Sequence, residues 1–320
     1  MTDQQGERTR IILDTDLSMG APGSDIDDGF ALALAVADPT LELELVTTVG
    51  GNSDVVTSTR LSVELLSVLG RPDIPVVRGA AWPLDPRWRR PDQEVALEDA
   101  GDRPGALEMA ARILAEPGQL TVVAIGPLTN VALALLLDPR VAQAVREIVV
   151  MGGVYLEQTN VGWMPGEYNF WCDPSAADVL LHSGAPLRLV GLDVTRRVRL
   201  SRDEARRMAK DGGRFATLAG QATEGWIDFQ KRTKPHEELE HDSCALHDAL
   251  AVAVVRHPEL VTWRRAHVAV ETTSPVTRGV AVADLLMWEH PPEPNCQIAT
   301  AVNPEAFLGH FRAALGRLLP

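Results

Sequence analysis

Short apolar runs alternate with longer segments of helical spacing along most of the chain. The runs rich in valine, leucine and isoleucine predict eight strands, at residues 10–13, 43–49, 75–77, 120–126, 147–153, 187–193, 267–272 and 279–284. Between several of them the spacing changes to that of a helix, at residues 29–37, 54–69, 104–115, 129–137 and 175–183. Strands that alternate with helices indicate parallel pairing, with helices on both faces of the sheet. The pattern therefore predicts an α/β fold with a mostly parallel central sheet.

The same pattern predicts one domain rather than several. A length of 320 residues permits a single large α/β domain. Neither an internal repeat nor a Gly/Ser-rich linker interrupts the pattern, so we expect one domain at residues 10–320 behind a flexible tail at residues 1–9. Residues 199–243 are polar with helix-like spacing, and they predict an added helical region over the sheet edge and the active site.

Polar residues follow several of the predicted strands. Asp14 and Asp16 follow the first strand, and the segments "TTVGGN", "GPLTN", "MGGVY" and "GLDVT" end or follow later strands. In sheets of this type, ligands bind beyond the carboxyl ends of the strands. We therefore expect these segments to form the functional site.

The stretch "DTDLSMGAPGSDIDD" at residues 14–28 holds five aspartates. Carboxylates this close repel one another unless a cation neutralises them. A cluster of oxygen ligands suits calcium or magnesium better than zinc. A solvated acidic loop is the ordinary alternative for a run of charge. The position of Asp27 and Asp28 at a predicted helix start, where the helix dipole favours carboxylates, favours a site instead.

Net charge, apolar segments and cysteine spacing limit the classes of partner and the compartment that we expect. The net charge of −14 argues against non-specific nucleic-acid binding. No apolar stretch is long enough for a transmembrane helix, and the N-terminus lacks the apolar segment of a secretory signal. The cysteines, Cys172, Cys244 and Cys296, are odd in number and widely spaced, which suits a reducing cytoplasm and predicts neither a disulfide framework nor a zinc site.

The acidic opening and seven later segments resemble one known family. "IILDTD…DIDDGFALALA" resembles the start of the inosine-uridine-preferring nucleoside hydrolases, whose usual form is DTDPGxDDxxA. The similar later segments, in the family's order, are "TTVGGN", "AIGPLTNVALAL", "IVVMGG", "GEYNFWCDPSAA", "VGLDVT", "ALHDALAVA" and "ETTSPVTRG". The resemblance implies a single α/β domain that uses calcium to hydrolyse a ribonucleoside to ribose and free base.

The resemblance also implies the roles of individual residues. Calcium would be held by the carboxylates of Asp16, Asp28 and Asp248 and by the backbone carbonyl of Thr129. Asp16 would also be the general base, and His247 would lie near the leaving base. The residues implied to lie at the ribose are Asp27, Asn52, Met151, Asn160, Glu167 and Asn169.

These residue types suit the chemistry of glycosidic hydrolysis. The reaction passes through a sugar cation resembling an oxocarbenium ion, so it needs a positioned water and negative charge nearby. A positioned base such as Asp16 typically contributes about 10²–10⁴-fold. Glu167 and Asn169 lie two residues apart, and in an extended segment both would face one side and grip two hydroxyls.

The chain departs from the family at two places. The segment "LSMGAPGS" and Asp25 lengthen the aspartate loop, and Asp25 is a candidate for a carboxylate behind the ligands. "DPRWRRPDQEVALEDAGDRPG" replaces the family's His-Gly element, which lies beside the leaving base. Trp82 or Trp88 could stack on a purine there. On the helical side the candidates for base contact are Trp226, Phe229, His236 and His241, with helix packing as the alternative for the first two.

Three hypotheses follow from the sequence. The first is a calcium-dependent nucleoside hydrolase that acts on a small ribonucleoside as a homodimer or homotetramer. The second is a magnesium-dependent phosphohydrolase of the haloacid dehalogenase type, which "IILDTDLS" also resembles; its chemistry wants a lysine, and the lysines are Lys210, Lys231 and Lys234. The third is a nucleoside-binding protein without catalysis.

Overall fold

The computed structural model describes residues 8–21, 23–90, 104–157, 164–233, 242–286 and 288–318. The strands in these ranges are β1 (Thr9–Thr15), β2 (Leu41–Thr48), β3 (Val76–Arg78), β4 (Leu120–Ala124), β5 (Glu147–Met151), β6 (Leu187–Val190), β7 (Arg199–Ser201), β8 (Ser243–Ala245), β9 (Val261–Ala266), β10 (Val268–Val270), β11 (Ala281–Ala283) and β12 (Cys296–Val302).

The α-helices in the same ranges lie mostly between the strands. They are α1 (Asp27–Ala37), α2 (Val55–Val68), α3 (Gly105–Ala115), α4 (Thr129–Leu137), α5 (Val141–Ala144), α6 (Tyr168–Cys172), α7 (Pro174–Leu181), α8 (Leu192–Thr195), α9 (Arg202–Asp211), α10 (Arg214–Thr233), α11 (His247–Ala253) and α12 (Pro304–Leu315). None of these helices is both long enough and apolar enough to cross a bilayer.

One sheet of eight strands forms the centre of the molecule, in the order β3-β2-β1-β4-β5-β6-β12-β9. Its neighbours pair in parallel except for β12 and β9, which are antiparallel. The prediction of a mostly parallel α/β sheet is therefore confirmed. Because β1 lies near the middle, the residues after it are enclosed by the ends of its neighbours β2 and β4.

The strand predictions were wrong in three respects. The predicted strands at 267–272 and 279–284 pair with each other as β10 and β11, outside the main sheet. The pattern missed β7, β8, β9 and β12. β9 at the sheet edge has exposed polar positions and lacks a continuous apolar run. The strand predicted at 187–193 ends at Val190, and the chain then turns into α8.

Alternating side chains of β1 pack into apolar layers on opposite faces of the sheet. Ile11 and Leu13 join the layer that contains α1, and Ile12 joins the layer of α3, α4 and α7. Phe30 of α1 is fully buried, and its ring packs edge-on against Phe215 and Phe311. The position of α1, and with it the start of the helix at Asp27, is thus fixed by the core.

The predicted helical region forms the pair α9 and α10, joined to the ribbon of β7 and β8. Ser201 caps α9 through a reciprocal capping box with Glu204. Phe215 at the start of α10 packs on α1, and Phe229 near its end lies against Gly23 in the aspartate loop. This region therefore covers the loop that leads into α1. The predicted boundary of the tail lies one residue inside β1, which begins at Thr9.

Candidate active site

The residues expected at the site come together at the carboxyl ends of adjacent strands. Asp16 directly follows β1, Asn52 follows β2, Gly126 follows β4 and Met151 ends β5. These strands are neighbours in the order β2-β1-β4-β5. The parallel direction of the strands places these residues along one edge, as the sequence predicted.

Asp16 lies at the centre of this edge and is fully buried. Its Oδ2 accepts a hydrogen bond of 2.6 Å from the backbone N–H of Asn52. Its Oδ1 has no hydrogen-bond partner within the described ranges. A Cβ at Gly51 would overlap Oδ2, and one at Gly126 would lie 2.9 Å from Oδ1. Two glycines therefore make the space that this carboxylate occupies.

Three further carboxylates form a cluster beside Asp16. Asp27 and Asp28 begin α1, and Asp248 is the second residue of α11. One carboxylate oxygen of each lies within 4.8 Å of the other two, and all three residues are at most 4% exposed. Thr15 donates its hydroxyl hydrogen to Asp28, which also accepts from the side-chain amide of Asn52 at 3.1 Å.

Within the described ranges, the charges of this cluster are not balanced by protein cations. Burial and the neighbouring carboxylates raise the pKa of Asp16, Asp27 and Asp248 well above the usual range. Burial raises the pKa of Asp28 to about 6 despite the hydrogen bond from Thr15. No arginine or lysine in the described part of the chain pairs with any of these carboxylates. Oxygen donors, unbalanced charge and the unpartnered Oδ1 of Asp16 together fit a hard divalent cation.

Asp25 belongs to the same electrostatic environment. Its charge contributes to the raised pKa of Asp27, Asp28 and Asp248. Its Oδ1 accepts a hydrogen bond of 2.7 Å from the backbone N–H of Ile26, just before α1. This position agrees with the expected carboxylate behind the ligands, although its effect on binding is still a prediction.

Thr129 begins α4, three residues after Gly126. Its hydroxyl donates a hydrogen bond of 2.7 Å to Asp173, the residue that caps α7. Thr129 is 2% exposed. Its side chain is thus committed to the protein, so only its backbone remains for the predicted role as a ligand, which stays a prediction.

Glu167 and Asn169 lie in the site but differ from the expected geometry. The prediction of an extended segment was wrong, because α6 begins at Tyr168 and Glu167 caps it. Glu167 accepts from the backbone N–H of Asn169 at 2.7 Å and of Gly153 at 3.0 Å. Asn169 donates its amide hydrogens to the backbone carbonyls of Ile125 and Met151 at 2.9 and 3.1 Å. Burial raises the pKa of Glu167.

These hydrogen bonds join the ends of β4 and β5 to α6. Met151 is 4% exposed and its Sδ lies 3.6 Å from the Asn169 amide. The hydrogen bonds of Glu167 and Asn169 hold α6 against the end of β5, where Met151 lies. The structure therefore brings Glu167, Asn169 and Met151 together, and their contact with ribose stays a prediction.

His247 is the first residue of α11, next to Asp248. Its Nδ1 lies 2.7 Å from the hydroxyl oxygen of Thr195, which ends α8. This contact connects the predicted "GLDVT" and "HD" segments and orients the imidazole. The predicted position of His247 near a leaving base is not tested by this contact.

The aromatic candidates have different environments. Trp226 is 7% exposed and stacks on Phe229 with ring centroids 5.4 Å apart, which is the packing alternative considered for this pair. Trp88 lies in the loop after β3, where the guanidinium of Arg278 is 4.3 Å from its ring centroid. The other candidates for ribose or base contact, Asn160, His236 and His241, lie outside the described residues.

Arg90 and Tyr168 are two residues of the site that were not predicted from the sequence. Arg90 donates from Nη2 to the carbonyl oxygen of Gly51 and from Nη1 to the hydroxyl of Tyr168, both at 2.6 Å. Tyr168 also donates to the Gly51 carbonyl, at 2.9 Å. The guanidinium of Arg90 thus holds the turn at Gly51, which lies against the carboxylate of Asp16. The arginine-rich segment "RWRR" at residues 87–90 could have indicated Arg90, but the prediction for this loop named its tryptophans alone.

The fold is an α/β sheet with a buried cluster of carboxylates at the carboxyl ends of its central strands, and these oxygen donors fit a divalent cation. The family model for inosine-uridine preferring nucleoside hydrolases matches residues 11–309. The chain therefore belongs to this family and is a nucleoside N-ribohydrolase.

Individual relatives agree with this family. Uridine nucleosidase 1 of Arabidopsis thaliana is 32% identical over 89% of this chain and 83% of its own. Pyrimidine-specific ribonucleoside hydrolase RihA of Klebsiella pneumoniae is 33% identical over 93% of this chain and 95% of its own. The structure of a purine-preferring ribonucleoside hydrolase from Gardnerella vaginalis superposes with a TM-score of 0.82 at 28% identity, covering 97% of this chain and 98% of that chain.

The space left by Gly51 provides a test of the site geometry. Gly51→Ala would place a methyl group in the position of Asp16 Oδ2 and displace the carboxylate. We expect Ca²⁺ affinity and kcat/KM each to fall at least tenfold, about 1.4 kcal/mol. Isothermal titration calorimetry and a ribose-release assay measure the two effects. Gly309→Ala is the control, because a Cβ at this helical glycine meets nothing within 4 Å. Unchanged binding in Gly51→Ala would contradict the geometry.

Proposed function

We propose that this enzyme hydrolyses ribonucleosides to ribose and free base with calcium as its bound cation. The observation that carries the proposal is the buried Asp16 with its unpartnered Oδ1, beside the cluster of Asp27, Asp28 and Asp248. Calcium takes six to eight oxygen ligands in flexible geometry, which suits a cluster of carboxylates on loops and helix starts. The proposed protein ligands are Asp16, Asp28, Asp248 and the Thr129 carbonyl.

The bound ion would supply a site where water and ribose hydroxyls are held together. Asp16 accepts the proton of the attacking water as general base. Its fixed contact with Asn52 and the adjacent glycines limit the movement of the carboxylate. The remaining negative charge of the cluster stabilises the cationic sugar that develops as the glycosidic bond breaks.

The ribose is bound by groups on several elements. Asp27, Glu167 and Asn169 are the proposed partners of its hydroxyls, with Asn52 beside the ion and Met151 beneath the ring. A site that hydrogen-bonds each hydroxyl discriminates strongly against a sugar that lacks one. We therefore propose that the enzyme prefers ribosides to 2′-deoxyribosides as substrates. His247, oriented by Thr195, is proposed to lie near the leaving base.

The contacts to ribose do not determine which nucleobase the enzyme prefers. The names of the Arabidopsis and Klebsiella relatives point to pyrimidines, and that of the Gardnerella enzyme points to purines. The loop with Trp88 and Arg90 occupies the place of the family's His-Gly element, so we propose that this loop contributes the base contacts. We further propose a cytoplasmic homodimer or homotetramer that does not act on nucleic acid or membranes.

The surroundings of Asp14 do not favour the phosphohydrolase alternative. Asp14, the first aspartate of "DTD", is fully buried and accepts hydrogen bonds from Thr47 at 2.5 Å and Asn130 at 2.8 Å. Its carboxylate is therefore held within the protein. Lys231, one of the described lysines, forms an ion pair with Asp242 on the helical region. Loss of catalysis, the third hypothesis, is tested by the turnover assay below.

The decisive experiment is ribose release from a panel of purine, pyrimidine and 2′-deoxy nucleosides, with and without a calcium chelator. We expect release from ribosides that falls at least a hundredfold with chelator and returns with added Ca²⁺. Phosphate release from phosphate monoesters serves as the comparison assay. Tight nucleoside binding without turnover would replace the proposal by a binding function. Full activity in chelator would remove calcium from it.

Asp16→Asn removes the general base and one anionic ligand with almost no change of volume. We expect kcat to fall about 10²–10⁴-fold, because that is the usual contribution of a positioned base. Steady-state kinetics at saturating Ca²⁺ measure the effect, and circular dichroism verifies the fold. Asp73→Asn, at an exposed carboxylate paired with Arg71, should match the wild type. Retention of more than a tenth of wild-type kcat would refute the role of Asp16.

Arg90→Met keeps much of the side-chain length but removes the donors to Gly51 and Tyr168. Hydrogen bonds from a charged group are worth about 1.5–3 kcal/mol, so we expect kcat/KM to fall about tenfold or more. Arg60→Met, which removes an exposed helical arginine paired with Glu64, is the matched control. Equal kinetics of the two variants would show that Arg90 does not support the site.

A further inference from the structure

A second group of metal-ligating side chains lies at the other end of α1. Asp38 caps the carboxyl end of α1, His257 begins the turn that leads into β9, and His310 lies in α12. One ligand atom of each lies within 4.8 Å of the other two. α1 has 11 residues that rise about 1.5 Å each, so this group is about 16 Å from Asp27 at the start of the helix. It is separate from the acidic cluster of the active site.

Two atoms in this group face each other at contact distance. Asp38 is 2% exposed, and its Oδ1 accepts from the backbone N–H and hydroxyl of Thr40 at 2.8 and 2.7 Å. Its Oδ2 lies 3.1 Å from Nε2 of His310, and within the described ranges neither of these two buried atoms has a hydrogen-bond partner besides the other. Two ligands of one tetrahedral zinc ion, each about 2.0 Å from it, are about 3.3 Å apart. The separation therefore suits a shared ion.

The third ligand is oriented by a neighbouring carboxylate. Nδ1 of His257 lies 3.2 Å from Oε1 of Glu259, and its ring centroid is 4.2 Å from that of His310. Histidines that bind metals usually give their other ring N–H to a carboxylate or carbonyl. The contact with Glu259 thus leaves Nε2 of His257 as the ligand atom.

The local field favours a cation. The carboxyl end of a helix carries partial negative charge, and Asp38 is the residue that caps this end of α1.

We propose that Asp38, His257 and His310 form a second metal site, one that selects zinc or a similar transition-metal ion. Two imidazoles and one carboxylate match zinc, whereas calcium takes oxygen ligands. The side chains of His310 and His257 are 20% and 31% exposed, so an ion can enter from solvent. The ion would tie the end of α1 to α12 and to the turn before β9.

Calorimetric titration of Zn²⁺ into the calcium-saturated enzyme tests this proposal without an activity assay. We expect the wild type to bind one zinc per chain with at least micromolar affinity, and His310→Gln and His257→Gln to bind it at least tenfold more weakly. His182→Gln is the matched control, because His182 is an exposed histidine 3.2 Å from Asp178. The cysteines are buried and do not offer a competing surface thiol site.

Thermal unfolding gives a second measurement. Zinc should raise the Tm of the wild type and of His182→Gln, because binding to the folded state stabilises it, and at the same zinc concentration it should raise the Tm of the two site variants less. Circular dichroism verifies that each variant is folded, and His257→Gln retains the contact of Asp38 with His310. Wild-type zinc affinity in both site variants, or no binding by the wild type below millimolar zinc, would overturn the proposal.

Discussion

The mutual repulsion of buried carboxylates is the constraint on which the rest of the site depends. Burying an ionised carboxylate is costly unless hydrogen bonds or opposite charge compensate it. Around Asp16 and Asp28 the described donors are the backbone and amide of Asn52 and the hydroxyl of Thr15. The folded-state pKa of Asp28, about 6, lies above that of an unfolded aspartate, so its ionisation opposes folding as the pH rises through this interval. A bound cation would reverse that sign and couple stability to binding.

The sheet supplies the geometry that holds these charges at close range. The neighbouring strands β2, β1 and β4 all end at one edge, so residues distant in sequence meet around Asp16. Gly51 and Gly126 leave space on either side of its carboxylate. The buried aromatic packing of Phe30 fixes α1, whose first two residues are Asp27 and Asp28. Rigid elements therefore place the carboxylates, as a preorganised site requires.

Much of this arrangement could be predicted from the sequence, because buried parallel strands are continuous apolar runs and polar residues follow them. The failures occurred where periodicity carries little information. β9 has polar exposed positions, and the five residues of α6 are too few to show helical spacing. Glu167 also accepts from the backbone N–H of Gly153, and this tertiary contact across 14 residues leaves no periodic signal in the sequence. The position of Arg90 likewise depends on a tertiary contact, here with Gly51.

The loop after β3 forms a fixed wall beside the site. Ala80 donates its backbone N–H to Asn130 at 2.8 Å, and Leu84 donates to Asp173 at 2.8 Å. The guanidinium of Arg278 lies 4.3 Å from the ring centroids of both Trp88 and Trp171, which joins this loop to α6. These contacts tie the loop to α4, to α6 and to the residue that caps α7, so a change in the loop also disturbs these elements. The replacement of the family's His-Gly element is therefore a change in the shape and charge of a supported surface.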